Sequence, residues 1–274
     1  MDFTFSSEMT TWLMLFALLG CVVGFFAGLL GVGGGGIMVP MLTTLFLAQG
    51  VPAERVVHLA LGTSMACIIF TSIASLGAHH RNKAVIWPLV SKLSIGVIGG
   101  TFAATFIAAS VNSTYLAIFF AAFMTYVAVG MFSKSKSMQE AKPLPSNGQL
   151  VAAGGGIGAI SALVSIGGGS LTVPYLSARG IDIKKAIGTS AAVGLPIALA
   201  GTIGYLLNGL QVSYEQAGVV GFIYLPAVVC IAITSFFTAP LGAKLAHALP
   251  VATLKKVFAL VLVLLALKML VSVI

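Results

Sequence analysis

Apolar residues in this chain come in long unbroken runs, without the alternation of a strand or the single stripe of a soluble helix. Six runs, 59–78, 84–108, 114–132, 187–207, 216–238 and 254–274, have the length and purity of membrane-crossing helices. Two further runs differ. Run 11–48 is too long for one crossing and is broken by Gly31-Val32-Gly33-Gly34-Gly35-Gly36, and run 150–178 is broken by Ser165-Ile166-Gly167-Gly168-Gly169-Ser170. The piece after each break, at 1.5 Å per residue, falls short of a ~30 Å hydrocarbon core. Each broken run is therefore expected to form a helical hairpin with its glycine tip inside the membrane.

The broken runs repeat one another. Gly33-Gly34-Gly35-Gly36-Ile37-Met38-Val39-Pro40 aligns with Gly167-Gly168-Gly169-Ser170-Leu171-Thr172-Val173-Pro174, and Ala60-Leu61-Gly62-Thr63-Ser64 aligns with Ala186-Ile187-Gly188-Thr189-Ser190. Trp87-Pro88 against Leu225-Pro226 is a weaker match. Two strong blocks in the same order indicate internal duplication. The second interval is shorter by eight residues in this alignment, a difference expected in a loop around 48–57. One hairpin plus three crossings per half makes the number of crossings odd, so the second half is expected upside down. The fold expected is an all-α polytopic membrane protein. Its parts are a first repeat at 1–132, a basic cytoplasmic linker at 133–148 and a second, inverted repeat at 149–274.

Composition and charge sharpen this picture. Of 274 residues 59% are apolar and 7% charged, too few charges to clothe a soluble surface. The net charge of +8 is not a nucleic-acid signal, because the basic residues cluster between apolar runs. With both termini outside, Arg81, Lys83, Lys134, Lys136, Lys142, Arg179, Lys184, Lys185, Lys244, Lys255 and Lys256 all fall on the cytoplasmic side, against Arg55 outside. The positive-inside tendency selects that orientation. Cys21, Cys67 and Cys230 lie in apolar runs with no CxxC spacing, so neither a disulfide framework nor a metal site is expected. The acidic N-terminus lacks the basic start of a signal peptide, so the first run is expected to be a retained span.

Inverted repeats with broken helices point to a transporter with its site near the midplane. Gly31-x-Gly33-x-x-Gly36 matches a dinucleotide fingerprint as a string, but no strand precedes it and no Lys-Ser or Lys-Thr follows. Close helix packing is one use for such glycines. The other is a binding loop, since uncompensated backbone inside a membrane is tolerated only against protein or a water-filled cavity. Amides at the starts of the half-helices, reinforced by the helix dipole, favour an anion. Gly33, Gly34, Gly35 and Gly36 of one tip, and Ser165, Gly167, Gly168, Gly169 and Ser170 of the other, are the expected substrate-binding residues. Thr63, Ser64, Thr189 and Ser190 either join them or bond back to their own helices. No Asp or Glu lies inside a span, so a carboxylate relay is not expected. Lys92 is either a snorkelling side chain or a cytoplasmic gate, and Lys268 an outer-edge snorkeller. His58, His79, His80 and His247 fall at span ends or in loops, where interfacial roles are expected. Cys67 shares a helical face with Thr63 and is expected to be a small apolar residue.

The duplicated Gly-Val-Gly-Gly-Gly…Val-Pro and Gly-Thr-Ser blocks, the basic loop 133–147 and the ending Leu241-Gly242-Ala243-Lys244-Leu245-Ala246 resemble the TauE/SafE sulfite exporter family, also called the four-toluene sulfonate uptake permease family. The resemblance covers nearly the whole chain. It implies an alternating-access transporter in a bacterial inner membrane, an exporter of sulfite, sulfoacetate or another organosulfonate. The expected partners are that anion and the lipid bilayer, with homodimerisation left open and nucleic acid excluded. No cofactor, metal or catalytic residue is expected. A channel-like anion permease shares these features and differs in kinetics. A membrane-embedded enzyme would need an in-span nucleophile and base, which the chain lacks.

Overall fold

The computed structural model describes residues 7–30, 34–132, 145–212, 217–248 and 251–273. Gly31, Val32, Gly33 and most of the basic linker lie outside the described residues. The first half contributes α1 (Ser7–Leu30), α2 (Gly35–Ala48), α3 (Ala53–Arg81), α4 (Trp87–Ser110) and α5 (Ser113–Phe132). The second contributes α6 (Asn147–Val164), α7 (Gly169–Ser177), α8 (Ile183–Gly209), α9 (Leu225–Ala248) and α10 (Val251–Val273). Among the described residues seven helices are long and apolar enough to cross a membrane: α1, α3, α4, α5, α6, α8 and α9. The chain is an all-α, multi-pass membrane protein.

Local chemistry sets the helix limits. Ser146 opens α6 with a capping box, its hydroxyl accepting from the Gln149 amide and the Gln149 side chain accepting from the Ser146 amide. The Asp182 carboxylate accepts from the amides of Lys184 and Lys185 at the start of α8. Pro88 occupies the first turn of α4, where a missing N–H costs nothing.

Three features differ from the sequence expectation. First, α1 has 24 residues, about 36 Å of helix, so the first arm of the broken run is long enough to cross, whereas α2 and α7 with 14 and 9 residues are not. Second, the apolar stretch from 217 to 224 is not helical. It forms a small antiparallel hairpin of β1 (Val219–Val220) and β2 (Ile223–Tyr224), turned by Gly221 at φ 59°, and α9 starts only at Leu225. Third, the length difference between the halves is mostly helical. The shared glycine start leaves α2 longer than α7, and α3 begins a turn earlier, relative to its Gly-Thr-Ser block, than α8 does.

Packing partners correspond across the two halves. Helix α1 lies along α9 as α6 lies along α4, while α3 packs on α8 and α5 on α10. Both seams are lined with glycine at matched positions. Gly20 and Gly24 of α1 meet Ile231 and Ser235, and Gly154 and Gly158 of α6 meet Leu93 and Val97. A Cβ at any of these four would strike partner backbone. Positions rise together along both helices of each seam, so each pair is parallel. Small residues spaced by four let backbones touch, which supplies packing energy that lipid-facing Leu or Ile cannot.

Candidate functional site

Each glycine break ends in a residue whose backbone only glycine adopts cheaply. Gly34 at φ 76° and Gly168 at φ 77° are the residues preceding α2 and α7, both left-handed. The turn satisfies half of the helix start: Ile37 and Met38 donate their amides to the Gly34 carbonyl, and Leu171 and Thr172 donate theirs to Gly168. The amides of Gly35 and Gly36, and of Gly169 and Ser170, have no acceptor within their own helices. Matched apolar side chains close over the turns, Val23 over Gly34 and Ile157 over Gly168.

The two turns touch. A Cβ added at Gly35 would fall on the carbonyl oxygen of Ser165, and Ile166 Cα lies 3.3 Å from that position. Ser165 is itself left-handed at φ 46°, and its buried hydroxyl donates to the Leu61 carbonyl of α3 at 3.0 Å. A Cβ at Gly194 of α8 would stand 2.8 Å from the Gly167 carbonyl and 3.1 Å from the Ser72 hydroxyl. Helices α3 and α8 thus wall the junction of the turns, and Gly34, Gly35, Gly36, Gly167, Gly168 and Gly169 are all buried in it. Ser170 is half-buried. None of these residues carries a charge.

The Gly-Thr-Ser blocks do something the sequence did not disclose. The Thr63 hydroxyl oxygen accepts from the Tyr224 amide at 3.0 Å, just before α9. At the equivalent place the Thr189 hydroxyl oxygen accepts from the Ile86 amide at 3.1 Å, just before α4. The neighbouring glycines make room, since a Cβ at Gly62 would strike the Phe222 carbonyl and one at Gly188 the Ala84 carbonyl. Each block therefore clamps the segment that opens a helix of the other half. Ser190 donates back to the Ile187 carbonyl at 2.9 Å, whereas the Ser64 hydroxyl is fully buried with no partner among the described residues.

Other singled-out residues lie elsewhere. Lys92 is half-buried in the second turn of α4, Lys268 is exposed on α10, and Cys67 is buried in the apolar core. His58 is buried, stacked on Phe222, with Nε2 3.1 Å from the Ala108 carbonyl and 3.0 Å from that of Val111. These carbonyls fix Nε2 as a donor, and the ring ties the early turn of α3 to the end of α4. Several buried hydroxyls without a partner among the described residues went unread in the sequence: Thr43 of α2, Ser75 of α3, Thr101 of α4, Ser161 of α6 and Thr172 of α7. Only alignment of the two halves position by position would have flagged the last two.

Two touching glycine breaks, each opening a helix with spare amides among uncharged walls and unengaged hydroxyls, are chemistry for an anion. Comparison with known proteins agrees with a transporter. A probable membrane transporter protein of Haemophilus influenzae is 38% identical over 261 residues, covering 95% of this chain and 99% of that protein. A probable membrane transporter protein of Methanocaldococcus jannaschii is 28% identical over 240 residues, covering 85% and 86%. Another, from Bacillus subtilis, is 27% identical over 255 residues, covering 88% and 94%. No solved structure matches. The sulfite exporter TauE/SafE family model matches residues 16–269, and with glycine turns, crossing helices and relatives all in accord, the chain belongs to the TauE/SafE family of membrane transporters.

Proposed function

We propose that this protein is a secondary transporter that exports a small sulfur-containing anion, such as sulfite, sulfoacetate or another organosulfonate, by alternating access across a bacterial inner membrane. In this reading 1–132 and 149–274 are inverted repeats joined by the cytoplasmic linker 133–148, with both termini outside. The observation that carries it is the contact between the two glycine breaks, where Gly35 at the start of α2 meets the Ser165 carbonyl, and the first amides of both α2 and α7 lack acceptors within their own helices. Exchange of packing partners between halves also supports a twofold relation of the repeats. A sulfur oxyanion suits such a site because its oxygens accept several N–H or O–H bonds at once, each worth about 1.5–3 kcal/mol to a charged acceptor. Backbone donors bind the anion without a permanent counter-charge, so the empty site can reorient as well as the loaded one.

The test is flux in proteoliposomes preloaded with sulfite, sulfoacetate, methanesulfonate, taurine or sulfate. Saturable efflux accelerated by the same anion on the opposite side is the expected result. Non-saturating flux without counter-transport identifies a channel, and absence of flux for every sulfur anion refutes the reading.

A further inference from the structure

The two glycine turns have matched backbones but unmatched side chains. In the register that superposes Gly34 on Gly168, Ser161 stands where the first half has Ala27, and Ser165 where it has Gly31. Likewise Ser170 replaces Gly36, and Thr172 replaces Met38. Four hydroxyls of the second turn thus face none at the same places in the first. On the neighbouring helices, the hydroxyls of Thr234, Ser235 and Thr238 in α9 all bond back to their own helix, whereas that of Thr101 in α4 has no partner among the described residues. Thr101 of α4, beside Gly158, corresponds to Ala239 of α9 when Pro88 is set on Pro226. Around the first turn the surroundings are apolar, with Leu262 and the Met124 sulfur 3.0 and 3.4 Å from a Cβ placed on Gly36.

Burial makes the asymmetry chemically pointed. Thr172 is 0% and Ser161 1% exposed, and neither hydroxyl has a hydrogen-bond partner among the described residues. The Thr172 oxygen lies 3.4 Å from a Cβ built on Gly168, with the Ile197 methyl at 2.7 Å, so it stands beside the start of α7, where the Gly169 and Ser170 amides lack helical acceptors. Ser161 flanks the same turn, its carbonyl accepting the Ile166 amide at 3.1 Å. A hydroxyl kept dry and unpartnered costs stability unless something else bonds to it.

We infer that the two turns are unequal partners: the second, through Ser161, Thr172 and the α7 amides, holds the oxygens of the transported anion, while the first is an apolar abutment that receives the rest of it. This rests on the transport reading above and assigns its ligand an orientation. With hydroxyls and amides as the donors and no cation beside them among the described residues, the site matches a single negative charge spread over several oxygens. An organic sulfonate, R–SO3−, fits both ends, since its carbon end meets Ala27, Met38 and Leu262. A doubly charged sulfate has no complement for its second charge and no apolar end.

The full-length protein in detergent is titrated calorimetrically with methanesulfonate, ethanesulfonate and sulfate, and its thermal midpoint is read without ligand. Thr172→Val and Ser161→Ala are expected to weaken sulfonate binding about tenfold each, the worth of one hydrogen bond to a charged acceptor. Neither should lower the ligand-free midpoint, because the hydroxyl removed bonded nothing there. Gly99→Ala, where a Cβ meets nothing within 4 Å, should leave affinity for methanesulfonate unchanged, and sulfate should bind more weakly than either sulfonate. Wild-type sulfonate affinity in both hydroxyl variants overturns the assignment while leaving transport intact. A lowered midpoint with unchanged affinity does the same, showing hydroxyls satisfied within the fold. A wild-type protein that binds none of the sulfur oxyanions overturns the transport reading itself.

Discussion

Replacing Gly35 by Ala tests the junction of the two turns with one methyl group. Gly35 is the first residue of α2 and has no left-handed backbone to strain, so the change acts through space alone. The added Cβ lands on the Ser165 carbonyl oxygen and stands 3.3 Å from Ile166 Cα. Both are backbone, held by Ser165 donating to Leu61 and by Ile166 donating to Ser161, so no flexible side chain can swing away. Carbon and oxygen need roughly 3.5 Å, and the turns must part by an ångström or more. Overpacking of this kind costs about 1–3 kcal/mol. If the cost falls wholly on the anion-bound arrangement, affinity drops roughly 5- to 150-fold at 1.4 kcal/mol per decade. If it falls on the fold, the thermal midpoint drops instead. Gly99→Ala is the control, because a Cβ there meets nothing within 4 Å. Midpoint and sulfonate affinity are measured for both variants in the same detergent. Gly35→Ala indistinguishable from wild type in both measurements would refute contact between the turns.

Three other perturbations probe separate parts of the structure. Thr63→Val and Thr189→Val remove the acceptors for the Tyr224 and Ile86 amides, and should each destabilise the protein by about 1 kcal/mol, with Thr→Ser restoring the midpoint in thermal unfolding. His58→Leu keeps volume but deletes the Nε2 bonds to the Ala108 and Val111 carbonyls; a loss of about 1–3 kcal/mol is expected, and an unchanged unfolding midpoint would show the ring is not a tie. Single cysteines replacing Glu140 and Glu215 in a cysteine-free background report orientation. Position 140 should label with an impermeant maleimide only from the cytoplasm and 215 only from outside, and the reverse pattern would sink the both-termini-outside arrangement.

The long apolar runs announced the crossing helices, because lipid leaves the backbone few alternatives and hydropathy reads them directly. The glycine turns were legible too, since Gly34 and Gly168 sit in blocks that repeat almost residue for residue. Less visible was anything that depends on a distant partner. The Thr63 hydroxyl meets an amide 161 positions away, and nothing near Thr63 in the chain distinguishes an acceptor for that amide from a ligand donor. The hairpin at Val219–Tyr224 was hidden because its residues are as apolar as a span, and only Gly218 and Gly221 interrupt them. Ser161 and Thr172 escaped notice for a different reason. A lone hydroxyl in an apolar helix commonly bonds back to its own carbonyls, and burial without a partner, together with the absence of a hydroxyl at the matched place in the first half, marks these two.

The glycine seams also dictate the order in which the protein can be assembled. Gly20 and Gly24 of α1 are shaped for Ile231 and Ser235 of α9, more than two hundred residues further along the chain. At a synthesis rate of about 5–20 residues per second, α1 waits on the order of 10–40 s in the bilayer before its mate exists. Its notched face meets only lipid or the insertion machinery during that interval. The α4–α6 seam, by contrast, closes as soon as α6 emerges, and offers a nucleus onto which later helices dock. The notches of α1 therefore stay unfilled until α9 is made, whereas those of α6 meet a helix that already exists.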